Sequence, residues 1–81
     1  MGEDSTADYS RWVVNHGDPP GQVMLPAPRR ALVRAELYSG ETVILELDVV
    51  ARADGYVCVR QDRPGMAPWL AWVPADQATP L

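Results

Sequence analysis

The sequence predicts an all-β fold: a small antiparallel barrel of about five strands behind an irregular N-terminal leader. Three observations carry this. Ala31, Val33, Ala35 and Leu37 alternate with Leu32, Arg34, Glu36 and Tyr38, and Val43 to Arg52 alternate in the same way. Period-two alternation rich in β-branched residues marks strands with one buried face. Glycine- and proline-bearing turns separate these runs, and no ten-residue window carries a comparable helical stripe.

Residues 1–28 form the leader. They hold four acids and one arginine, and are interrupted by His16-Gly17-Asp18-Pro19-Pro20-Gly21 and by Pro26 and Pro28. Proline removes a backbone donor and fixes φ, so neither helix nor strand runs far here. Trp12-Val13-Val14 and Val23-Met24-Leu25 are short apolar patches able to dock as a brief strand or hook. Residues 1–8 are expected to be disordered.

Residues 29–81 form the barrel. Matching the inward faces of the first two strands calls for an odd loop at Ser39-Gly40-Glu41, pairing Leu37 with Val43 and Ala35 with Leu45. Arg34 then lies opposite Glu46 on the outer face, an attractive cross-strand pair. Ala53-Asp54-Gly55 suits a three-residue turn with glycine in the left-handed region. It pairs Ala51 with Val57, Val49 with Val59, Asp48 with Arg60 and Arg52 with Tyr56. Pro64-Gly65-Met66-Ala67-Pro68 leads to Trp69-Leu70-Ala71-Trp72-Val73-Pro74. Three residues apart on a strand, the two tryptophans take opposite faces, one to the core and one to the surface. Pairing Gln61 with Ala71 sets Trp72 beside Arg60, within reach of a cation–π contact.

Three hairpin-linked strands, followed by Trp72-Val73-Pro74-Ala75-Asp76-Gln77-Ala78, resemble the Src-homology-3 (SH3) barrel and its bacterial relatives. Val33 to Tyr38 is similar to that family's opening strand, and Asp54-Gly55-Tyr56 to the turn before its hallmark tryptophan. The resemblance covers about residues 29–81. It implies a short helical turn at Ala75-Asp76-Gln77 and a closing strand at Ala78 to Leu81. It also implies a peptide-binding strip on Tyr38, Tyr56, Trp72 and Pro74. The chain departs from the family pattern in three places. The acidic first loop shrinks to Ser39-Gly40-Glu41, Tyr56 stands where the groove tryptophan would be, and Gln77 replaces a late groove tyrosine.

Composition narrows the function classes. Eighty-one residues leave no room for a second domain or a large cleft. One cysteine and one histidine exclude a disulfide framework and a Cys/His zinc cage. The net charge of −4 disfavours nucleic acid and anionic membranes as partners. Residues 1–28 hold most of that acidity, since seven acids and six arginines in the remainder nearly balance. No apolar run approaches the ~20 residues that span a bilayer. Met1-Gly2-Glu3-Asp4 is acidic where a secretory segment is basic and then apolar, so a cytoplasmic location is expected. Lysine and phenylalanine are absent and Ile44 and Asn15 stand alone, a bias that points to a high-GC bacterial source.

No residue pattern implies catalysis, a metal or a cofactor. His16 lies in a Gly/Pro loop without a partner for general-base work. Cys58, expected opposite Val50, reads as an inert strand thiol. Glu46 and Asp48 share a face, but Arg34 and Arg60 are expected to balance them. The sequence therefore predicts a non-catalytic protein- or peptide-binding module, monomeric or weakly dimeric, using Tyr38, Tyr56, Trp72 and Pro74. The alternatives are an accessory or regulatory subunit of a larger enzyme complex, whose partner orders residues 1–28, and a nucleic-acid-binding small barrel, the least favoured.

Overall fold

The computed structural model describes residues 10–81, so the expected disorder of residues 1–8 lies outside the described residues. The fold is all-β, with five antiparallel strands: β1 (Val23–Glu36), β2 (Thr42–Ala53), β3 (Tyr56–Gln61), β4 (Trp69–Pro74) and β5 (Ala78–Pro80). They form one sheet in the order β4-β3-β2-β1-β5, with a 3-10 turn at Ala75–Gln77. The last strand thus returns to the first, Val33 pairing with Ala78 and Ala31 with Pro80.

The alternating faces fall as the sequence requires up to Val49, beyond which a bulge turns Ala51, expected inward, to the outer side. Ala31, Val33, Ala35, Leu47, Val49, Val59, Ala71 and Val73 all point into the buried core. The register differs in detail from expectation, and each difference has a local cause. β1 and β2 pair two residues further from the turn, Ala35 facing Val43 and Val33 facing Leu45. Leu37 leaves the ladder because its backbone closes the turn, its N–H donating to the Glu41 carbonyl and its carbonyl accepting the Gly40 N–H, both at 2.8 Å, while the N-terminal segment pairs along the other side. Val13 bridges Leu37, and the Tyr38 N–H donates to the Trp12 carbonyl at 3.1 Å. A slip of two keeps every side chain on its face, so facial patterning alone cannot detect it. Arg34 consequently faces Ile44, and Arg30 is the residue that reaches Glu46, at 2.9 Å.

The β2–β3 hairpin turns on two residues, Asp54-Gly55, with Gly55 at φ 79° and Ala53 opposite Tyr56. The extra residue appears instead as a β-bulge at Val50. Beyond the bulge Val49 faces Val59 and Asp48 faces Arg60 as expected, whereas Ala51 pairs with Cys58 and Arg52 with Val57. β3 and β4 are also shifted by two, so Trp72 faces Cys58 and Arg60 faces Leu70. The cation–π contacts belong to Arg63 and Arg11 rather than to Arg60 and Trp72.

The largest departure is at the N-terminus. β1 begins at Val23, and Val13 is one of the four largest fully buried side chains, at 0% exposure. The Val14 N–H donates to the Glu36 carbonyl and the His16 N–H to the Trp72 carbonyl, both at 2.8 Å. One short segment therefore joins the end of β1 to β4, the far edge of the sheet. The sheet curls until these two strands share that segment, and Val13 plugs the seam.

Candidate functional site

The β2 bulge creates a second apolar surface outside the main core. Ala51 and Cys58 face each other across the ladder on the outer side, and both are buried. They form the floor of a groove of about 480 Å³. Val50, Leu70 and Trp72 line it from the sheet together with Met24 at the start of β1, and Asn15, Asp18 and Gln22 from the N-terminal hook. Met24 is 74% exposed and Leu70 55%, so both rims present apolar side chains to solvent.

The hook is held by specific bonds. Asn15 accepts the Trp72 N–H at its Oδ1 at 2.8 Å, which fixes the tryptophan backbone against the hook. The Gln22 amide donates to Asp18 and, at 3.0 Å, to the Pro19 carbonyl, closing the turn that forms one wall. Gln61 binds the segment from both sides, accepting the Val13 N–H at 3.1 Å and donating to the Arg11 carbonyl at 3.0 Å.

The four residues expected to form one strip divide into two places. Tyr56 lies opposite Pro74, and Trp72 is two residues along β4 on the same face. Of the four, Trp72 alone lines the groove. Tyr38 belongs to a separate aromatic cluster. Its ring stands edge-on to Trp69 at 6.1 Å, and Trp69 stacks on Trp12 at 6.5 Å. The Arg63 guanidinium sits 5.4 Å from the Trp12 ring and 5.5 Å from that of Trp69. The Trp69 indole N–H donates to the Val13 carbonyl at 2.8 Å, and the Tyr38 hydroxyl accepts the Asn15 N–H at 3.2 Å. This cluster fastens the hook to the sheet.

Sequence reasoning missed Met24, Leu70, Asn15 and Gln22 as groove residues. The only available signal was the pair of apolar patches at residues 12–14 and 23–25, which marked docking but not where.

The polar groups nearby are balanced. Asp48 accepts from Arg30 at 3.2 Å and Arg60 at 2.6 Å, while Arg60 also approaches Asp62 at 3.6 Å. Hydrogen bonds to Glu46 and Asp48 raise the Arg30 pKa. Burial pushes the Cys58 thiol above its ordinary value, opposed by a hydrogen bond with the Ala71 backbone. Cys58 is thus a neutral apolar floor residue rather than a thiolate nucleophile. Among the described residues no helix is long and apolar enough to cross a membrane. Comparison with known proteins gives no matching family model, no matching curated protein and no matching solved structure.

Proposed function

We propose that the chain is an SH3-like barrel serving as a non-catalytic, cytoplasmic interaction module that receives a peptide or protein segment in the Trp72 groove. The barrel reading is supported by the return of β5 to β1, the 3-10 turn after Val73-Pro74, and the curl of the sheet onto the hook. The observation that carries the function is the groove itself. A buried apolar floor, a tryptophan wall and exposed Met24 and Leu70 rims offer an anchor pocket of the kind that recognises short segments. Tyr56 and Pro74 extend the same face along β3 and β4.

The docking of residues 12–16 within the single chain favours the module reading over an accessory subunit whose partner would order residues 1–28. Selection of a random peptide library on the full chain tests the proposal. Selected peptides should lose about tenfold or more in affinity on Trp72→Ala and less on Tyr56→Ala, with the circular dichroism of both variants unchanged. Equal binding by wild type and Trp72→Ala would remove the groove from the account.

A further inference from the structure

A second candidate site lies on the opposite side of the same bulge. Two irregularities meet at Val50: four β1 residues, Leu25 to Pro28, face it from one side, and it is unpaired with β3 on the other. Bulges bend a strand and re-aim its side chains. Here Ala51 turns to the Trp72 groove, whereas Arg52 joins Val49 in lining a cavity of about 270 Å³ at one end of the sheet. Leu25, Val57 and Ala78 contribute its apolar wall, and Arg29 and Arg30 stand at it with Arg52.

The three arginines are not equivalent. Arg30 is committed to Glu46 and Asp48. Among the described residues, neither Arg29 nor Arg52 forms an ion pair, side-chain hydrogen bond or ring contact. Two uncompensated guanidinium groups thus flank an apolar cleft in a chain whose net charge is −4. The cleft is smaller than pockets for drug-sized ligands, about 300–1,000 Å³, and suits a side chain better than a whole small molecule.

We propose that this cleft binds an acidic peptide segment of a partner protein. One aliphatic side chain enters the apolar cavity, and flanking carboxylates pair with Arg29 and Arg52. Guanidinium groups bind carboxylates through two parallel hydrogen bonds, which gives the contact direction as well as strength. The site is separate from the Trp72 groove, so either proposal can fail alone.

The test is a titration of the isotope-labelled full chain with an acetylated, amidated Glu-Glu-Leu-Leu-Glu-Glu peptide, followed by amide chemical shifts. Saturable shifts are expected at Val49, Val57 and Ala78. Affinity should fall roughly tenfold in an Arg29→Gln/Arg52→Gln double variant. Arg34→Gln, which removes an outer-face arginine remote from the cleft, should bind like wild type. A peptide with lysine in place of glutamate should not bind, and one with alanine in place of leucine should bind more weakly. The variants replace exposed side chains, and their spectra report directly whether the fold is intact. Shifts centred on Trp72, equal binding of the lysine peptide, unaltered affinity in the double variant, or no shifts at millimolar peptide would each overturn the proposal.

Discussion

The N-terminal hook and the β2–β3 hairpin are built by different means, and the contrast explains how this small chain holds its shape. The hairpin is local. It turns on Asp54-Gly55, its strands are adjacent in sequence, and its residues pair directly across the ladder, Val49 with Val59 and Ala51 with Cys58. The hook is almost wholly non-local, reaching partners 23 to 57 residues away through single contacts: Asn15 with Tyr38 and Trp72, Val13 with Gln61 and Trp69. A hairpin tolerates the loss of one contact because its neighbours repeat it, whereas the hook depends on a few side chains. Since the hook also forms one wall of the Trp72 groove, its docking governs the proposed function.

Substitutions that separate the two regions should rank as follows. Val13→Ala removes a fully buried side chain at the seam and should cost about 2 kcal/mol, lowering Tm by roughly 10 °C in a domain of this size. The half-exposed Val23 offers the control, and Val23→Ala should cost well under 1 kcal/mol by the same thermal measurement. A Val13→Ala variant as stable as wild type would place the hook outside the cooperative unit. Gln61→Ala leaves the Val13 N–H without its acceptor and should cost about 1–2 kcal/mol in urea unfolding, with the β2–β3 amides keeping their chemical shifts. Arg63→Ala withdraws the only guanidinium on the Trp69 ring among the described residues and one of two on Trp12, where Arg11 remains at 5.8 Å, and should cost about 0.5–1 kcal/mol, with a change in tryptophan fluorescence.

The smallest effect concerns pH. Cys58 has a folded-state pKa raised by burial above its ordinary 9.0, so folding favours the protonated thiol. Below pH 9 thiol titration does not diminish stability. As pH climbs past 9, the unfolded chain ionises first and stability falls. Cys58→Ala should remove that part of the alkaline loss, measured as a flatter Tm profile at high pH. An identical profile in the variant would mean that the thiol is not buried in solution.

Much of the sheet was legible in the sequence because facial alternation is a strong, repeated signal. Every inward residue expected on β1 from Ala31 to Ala35 lies in the core, as do Leu47, Val49, Val59, Ala71 and Val73. What facial patterning could not set was register modulo two. Arg30 therefore replaced Arg34 at Glu46, and Leu70 replaced Trp72 opposite Arg60. The bulge at Val50 was hidden for a related reason: Val49, Val50 and Ala51 are all apolar and fit either face. Of the candidate strip, the shared face of Tyr56, Trp72 and Pro74 followed from alternation. Tyr38 did not stay with them because its environment is set by Trp12 and Trp69, a meeting of residues far apart in the chain.

The central claim is that residues 12–16 belong to the folded sheet, and that the groove is built jointly by this hook and β4. Hydrogen exchange of the backbone amides in the full-length chain tests it most directly. The Val14 and His16 amides, bonded at 2.8 Å to Glu36 and Trp72, should be protected to an extent approaching that of Val59. Gly17 and Gly21, exposed in the connecting turn, should exchange rapidly. If Val14 and His16 exchanged as fast as those glycines while Val59 stayed protected, the hook would be a loose tail and the joint groove would not exist.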